Sequence, residues 1–385
     1  MSAYIPLSVP TLKGNELKYV KECIDTEWVS SAGKYVELFE QKIAEYTGSK
    51  YAVACVNGTA AIQVSLRLAG VKPSDEVIVS TLTFIASVNA ITYNNATPIF
   101  MDADKYYNLD SEKTIEFIKN ETVYKNGFTY NKNTDKKISA ILPVHVWGNA
   151  CWLDELIELC NKQNIVIVED ACESLGTFYN GGKFKGKHTG TIGKLGCLSF
   201  NGNKIITTGG GGMILTNNED IAIRARHITT TAKSDPLEYF HDEVGYNYRL
   251  VNVLAAIGVA QMENFEQILK RKKEIDALYK KELEGVGDIK FQINDSNSNP
   301  NCWLFTFRTK KMRELLNYLN SKQIQSRPFW TPMNKLPMYK DLIYINENDI
   351  SNKIFKECIS IPSSSNLTIF DQNKVIVEII KFYKS

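Results

Sequence analysis

Short apolar runs alternate with stretches whose apolar positions fall three and four residues apart, and the alternation covers most of the chain. Residues 51–56, 76–80, 98–101, 138–144 and 165–168 are too compact for helices and predict buried strands. Between them lie predicted helices: one opens at residues 57–61 and runs to Leu68, and others span 85–93, 110–120 and 152–162. Such β, α, β order from 51 to 170 predicts a parallel sheet covered by helices, with right-handed crossovers. Residues 12–27 and a stretch marked by Val36, Phe39, Ile43 and Tyr46 predict two helices ahead of the sheet. Further strands are predicted at 195–200 and 213–216, and a helix at 219–227. The polar segment 121–137 predicts an excursion from the core, a hairpin.

From Val251 to about Leu283 the pattern predicts one long helix, apolar in its first half and rich in Lys and Glu in its second. Beyond it, short strands such as 303–307 alternate with helices at 312–321 and 371–383. The expected organisation is therefore an N-terminal arm and large domain over 1–250, then an interdomain helix and small C-terminal α/β domain over 251–385.

The charge balance, 45 basic against 43 acidic residues, gives a net +2 and offers no field suited to nucleic acid or an anionic membrane. A phosphorylated ligand would need local groups. No basic leader followed by an apolar core stands at the start, and no apolar run approaches a membrane span, so the expected location is cytoplasmic. Eight scattered cysteines without a C-x-x-C pair predict reduced, buried thiols, and four dispersed histidines suggest no metal site.

The chemistry concentrates in residues 165–214. Asp170 closes the strand at 165–168, where open α/β sheets bind ligands beyond the strand ends. Lys204 follows the run at 195–200, and four glycines stand at 209–212. Pyridoxal phosphate needs this pair: a carboxylate to keep its ring nitrogen protonated, and a lysine amine to bond its aldehyde and then carry a proton. Its phosphate needs hydroxyls and free N–H groups, which Ser199 and the helix start at Gly58, Thr59 and Ala60 can supply. Each residue also has a plainer reading: Asp170 as a turn former, Gly58 and Thr59 as a helix start, and Lys204 as one surface lysine beside Lys183, Lys185, Lys187 and Lys194. Phe84 follows a strand and can stack on a flat ring or pack in the core. His145 contacts a cofactor or caps the sheet. Ser30 and Ser31 cap a helix or touch substrate. Arg327 and Trp330 hold a nucleotide or belong to a proline-fixed surface loop.

Read as motifs, EDACESLG, HTGT, LSFNGNK and TTGGGG, in that order, resemble the DegT/DnrJ/EryC1/StrS sugar aminotransferases. GYNYRLVNVLAAIGVAQM at 245–262 extends the resemblance, which covers nearly the whole chain. It implies an α/β, fold type I (aspartate aminotransferase-like) enzyme with a large, mainly parallel sheet and a small C-terminal domain. Lys204 and Asp170 would be catalytic, and Gly58, Thr59, Ala60, Phe84, Glu173 and Ser199 would join them around the cofactor. Asn247 would reach a partner's cofactor phosphate across a homodimer interface, with Arg249 close by. Gly210 departs from the family's glutamate, so any contact made by that side chain is missing.

The opening segment and the stretches 325–339 and 359–368 look most like the subgroup acting at C4 of nucleotide-linked 4-keto-6-deoxy-N-acetyl-hexosamines in bacterial surface glycan or nonulosonic acid biosynthesis. L-Glutamate would be the amino donor, with pyridoxamine phosphate as the intermediate cofactor form, and Ser30, His145, Arg249, Arg327 and Trp330 would meet the sugar nucleotide. The alternatives are a 3-keto sugar aminotransferase and a nucleotide-sugar binding protein that keeps the fold without turnover. A related branch that dehydrates sugars carries histidine in place of the lysine, and Lys204 speaks against it.

Overall fold

The computed structural model describes residues 4–235 and 237–384. Its centre is an eight-stranded sheet made of β1 (Tyr51–Cys55), β2 (Glu76–Ser80), β3 (Thr97–Met101), β4 (Ile138–Leu142), β5 (Val166–Asp170), β6 (Leu195–Ser199), β7 (Gly212–Thr216) and β8 (Tyr344–Ile345). The spatial order is β1-β7-β6-β5-β4-β2-β3-β8. From β6 through β8 every neighbouring pair is parallel, whereas β7 runs antiparallel to both β1 and β6. The central strands are buried along nearly their whole length, because helices cover both faces and leave no solvated side. That burial explains why these strands read as continuous apolar runs rather than alternating ones.

A second, four-stranded sheet carries the C-terminal region, with Phe305–Arg308 and Cys358–Ile361 antiparallel at its centre. Its core gathers Phe305, Phe307, Leu315, Leu319, Ile359 and Ile361 against Ile275, Tyr279 and Leu283 of the helix Phe265–Leu283. The segment expected as one helix from Val251 is two, Asn252–Glu263 and Phe265–Leu283, meeting at Asn264. The first is packed nearly all round and the second on one side only, so the change in pattern marks a change of surroundings. The polar excursion forms a hairpin, Thr122–Lys125 against Phe128–Asn131. Among the described residues no helix is long and apolar enough to cross a membrane.

The two regions are stitched together in both directions. The N-terminal arm crosses to the small region, where Ile5 pairs with Ile324, and the Ser363 N–H donates to the Leu7 carbonyl. In return, β8 comes from the C-terminal part of the chain and closes the edge of the large sheet beside β3. Asp102, just beyond β3 and fully buried, fixes that return. One of its oxygens accepts from the Tyr344 hydroxyl and from the Ser351 N–H and hydroxyl, and the other accepts from the Ile350 N–H, capping the helix Ile350–Glu357. Asp102→Ala should lower stability by about 3 kcal/mol or more, since it strands several buried donors at once. Urea unfolding followed by circular dichroism checks this.

Candidate active site

A cavity of about 310 Å³ lies beyond the carboxyl ends of β1, β5 and β6. Asp170 closes β5 and faces it. One carboxylate oxygen accepts from the Ser87 hydroxyl at 2.6 Å and the other from the Cys172 backbone N–H at 3.1 Å. Neither donor is a cation, which leaves the carboxylate available to a protonated ring nitrogen. Ser87 belongs to the helix Ile85–Tyr93, which starts directly after Phe84, so one short segment supplies both the group that orients Asp170 and a half-exposed aromatic wall.

Lys204 enters from the turn after β6, its backbone N–H bonded to the Asn201 carbonyl at 3.0 Å. Its amine lies 3.6 Å from Glu173 Oε1 and 4.2 Å from the centroid of the Trp303 ring. Burial pushes the Glu173 carboxyl up to about 7, with the Lys204 ammonium and the Trp147 N–H opposing it.

The helix Gly58–Leu68 points its N-terminus at the same cavity, and Gly58, Thr59 and Ser199 line it. Glycine is required at 58, because a Cβ there would stand 2.8 Å from Ser199 Cβ and 2.9 Å from Cys172 Sγ. The Asn57 side chain caps the helix by accepting the Ala60 N–H at 2.8 Å. The Ala60 N–H is therefore already bonded within the protein, and Ala60 does not line the cavity. The first N–H groups of a helix have no partner within it, so those of Gly58 and Thr59 remain for an anion.

Other expected residues lie elsewhere. His145 is fully buried behind the sheet. Its Nδ1 accepts the Cys151 N–H at 3.0 Å, so its proton is on Nε2, which donates to Glu169 at 2.9 Å. Arg249 is bonded to the buried Glu40 and to the Ala54 carbonyl, and lines a separate cavity with Arg226. Ser30 is exposed on a turn, its carbonyl accepting the Asn252 N–H. Asn247 is exposed beside Thr230, outside the cavity of its own chain. Arg327 and Trp330 line an adjoining cavity of about 540 Å³, with Trp303, Trp330 and Asn203 common to both. Gly210 has open space where a side chain would begin, with only the Val56 carbonyl 3.9 Å away.

Sequence reasoning missed Asn57, Ser87, Cys172, Asn203 and Trp303. Ser87 had one usable signal, its place in the first turn of the helix that follows the aromatic. Trp303 had none, because only the tertiary fold brings it to Lys204. Outside this region His227, Asp242 and Glu243 converge at the surface, but Glu243 is engaged by Arg67 and Arg224.

The residues present fit pyridoxal phosphate. A carboxylate held by neutral donors, a lysine amine, an aromatic wall and a helix N-terminus flanked by hydroxyls all open on one cavity.

Comparisons with known proteins agree with this fit. The sequence profile of the DegT/DnrJ/EryC1/StrS aminotransferase family matches residues 10–380. The chain is 36% identical to GDP-perosamine synthase of Escherichia coli O157:H7, over 99% of each chain. It is 33% identical to the putative pyridoxal phosphate-dependent aminotransferase EpsN of Bacillus subtilis, over 100% of this chain and 97% of that one. Helicobacter pylori PseC, an aminotransferase involved in the biosynthesis of pseudoaminic acid, superposes with a TM-score of 0.88 at 20% identity, over 99% of this chain and 100% of that one.

The raised Glu173 carboxyl makes stability depend on pH. The folded protein holds this proton more tightly than the unfolded chain, so the contribution is fully present below about pH 4 and is lost as pH rises through about 7. Glu173→Gln removes it. In cofactor-free protein the variant should gain on the parent across that window, by about 3 kcal/mol at most. Urea unfolding at several pH values reads the difference.

Proposed function

The chain belongs to the DegT/DnrJ/EryC1/StrS aminotransferase family and is a pyridoxal-phosphate-dependent sugar aminotransferase; from that premise we propose that it transfers an amino group from L-glutamate to C4 of a nucleotide-linked 4-keto-6-deoxy-N-acetyl-hexosamine. Such a product would feed surface glycan or nonulosonic acid biosynthesis. The observation that carries this reading is the convergence of Lys204 and Asp170 on one cavity that adjoins a larger, aromatic-lined one.

When bound, pyridoxal phosphate would supply an electron-withdrawing ring and a carbon that can carry an amino group between donor and acceptor. Asp170, oriented by Ser87, holds the proton at the ring nitrogen. Lys204 would anchor the cofactor through its amine and would carry the proton to and from the sugar C4. Glu173 faces the Lys204 amine at 3.6 Å, so a charge gained or lost there has a carboxyl group beside it. Gly58, Thr59 and Ser199 would hold the phosphate, and Phe84 would offer an aromatic surface to the ring. Asn247, exposed and outside its own chain's cavity, would reach the phosphate in a second copy, which makes the active form a homodimer. In the adjoining cavity Arg327 offers a cation to a diphosphate and Trp330 a face to the sugar or base.

The relative named GDP-perosamine synthase favours a second reading, in which the carrier nucleotide is GDP. One half-reaction separates the two. The enzyme is converted with glutamate, the donor is removed, and UDP-linked 4-keto-6-deoxy-N-acetylglucosamine or GDP-linked 4-keto-6-deoxy-hexose is added while the cofactor absorbance is followed. Return of the starting spectrum with one sugar alone identifies nucleotide and acceptor together. No return with either, from enzyme that glutamate did convert, points to a 3-keto sugar, and a spectrum that no amino donor changes points to a binding protein. Lys204→Ala should lower multiple-turnover rates by about a thousandfold or more, and a variant cycling at the parent rate would remove Lys204 from the mechanism.

A further inference from the structure

Trp303 has no role in the reading above, yet it is the aromatic side chain against the Lys204 amine. It is buried in the wall shared by the two cavities, and its ring centroid lies 4.2 Å from Lys204 Nζ. Two contacts fix it from opposite ends. Its indole N–H donates to the carbonyl of Asn203, the residue before Lys204, at 2.7 Å, and the same carbonyl accepts from the Ser8 hydroxyl of the N-terminal arm. Its own carbonyl accepts from Lys272 Nζ at 2.5 Å.

Lys272 is itself unusual. It is buried in the helix Phe265–Leu283, and it donates to the carbonyls of Trp303 and Ser363. Among the described residues it forms no ion pair with a carboxylate. Burial lowers it to about 7, with Cys302 and Asp276 opposing. A leucine or methionine would fill the space without desolvating an amine, but only a donor can hold two carbonyls from separate segments. What that clamp fixes is the backbone that presents the indole.

We propose that Trp303 is a positioning residue for Lys204: its ring face holds the Lys204 ammonium at the cavity whenever that amine is free of the cofactor, and Lys272 keeps the ring in place. The proposal rests on Lys204 being the cofactor lysine. A cation over an indole face in a largely desolvated site is stabilised relative to the neutral amine, by about tenfold in equilibrium terms. The other charged or titratable groups lining the cavity are Asp170, Cys172 and Glu173, all at the end of β5 or just beyond it. Glu173 attracts the same ammonium from its own position, so ring and carboxylate fix the amine between them.

The test uses cofactor-free, full-length protein and the variants Trp303→Phe, Trp303→Leu and Lys272→Met. Acylation of Lys204 by an amine reagent is followed by peptide mass spectrometry, and the rate at about pH 7 is divided by the high-pH plateau rate fitted from the profile, where the amine is fully free. Changed access scales both rates equally, whereas loss of the ring's hold on the ammonium raises the ratio. Trp303→Leu should raise it about tenfold; Trp303→Phe, which keeps a ring face, and Lys272→Met should raise it less. An unchanged ratio in Trp303→Leu overturns the proposal, and if that variant does not fold, an unchanged ratio in Trp303→Phe does so. A normal ratio in Lys272→Met beside a raised one in Trp303→Leu removes Lys272 from it. Borohydride reduction of the loaded parent, with peptide mapping, tests the underlying reading separately: cofactor on another lysine overturns that reading, while the ratio still reports on Trp303.

Discussion

Glu169 and Asp170 are neighbours on β5 and therefore point to opposite faces of the sheet. Glu169 has no access to solvent, and burial pushes its carboxyl up, but His145 and the N–H groups of Gly193 and Gly190 together hold it below the usual carboxylate range. One of its oxygens accepts from Ile192 and Gly193 at 2.6 Å each, and the other from Gly190 at 2.8 Å and His145 at 2.9 Å. This one carboxylate ties the end of β4, the end of β5 and the turn that leads into β6. A one-residue slip of β5 would exchange Glu169 and Asp170 between faces and leave that turn unbonded. The register that directs Asp170 at the cavity is thus enforced from the other side of the sheet.

In front of the sheet the arrangement is looser. Lys204 stands between a carboxylate and an aromatic face, and the loop that carries it is bonded to the N-terminal arm through Ser8. Trp303, Trp330 and Arg327 come from the C-terminal region, so the cavity walls belong to segments far apart in sequence. The lysine's surroundings therefore depend on how the two sheets dock, whereas those of Asp170 depend on one strand and the helix beside it.

This difference explains what could be read from the sequence. The strands and helices from 51 to 170 announced themselves by period and length; Asp170, Gly58, Thr59 and Ser199, which line the cavity, stood out as candidates because each lies at the end of a strand or the start of a helix, and Lys204 because it follows a strand closely. Arg249 and His145 show the ambiguity of such positions, because a polar residue near a strand end reads the same whether it faces a ligand or a buried carboxylate such as Glu40 or Glu169. At Ala60 the reason is local: the Asn57 cap that made the helix start recognisable also takes the Ala60 N–H. Trp303 and the break at Asn264 were invisible, since neither local propensity nor periodicity encodes a long-range contact or a change in what packs against a helix.

The placement of β8 has a consequence for synthesis. This strand is made long after β3, yet it covers the edge of β3. Until residues 344–345 have left the ribosome, β3 presents an unpaired backbone edge to whatever is nearby, including a neighbouring nascent copy on the same message. The large sheet can assemble early but cannot be finished early, and the arm that crosses to Ile324 must wait as well. Vectorial folding therefore leaves the β3 edge open until the strand that covers it has been made.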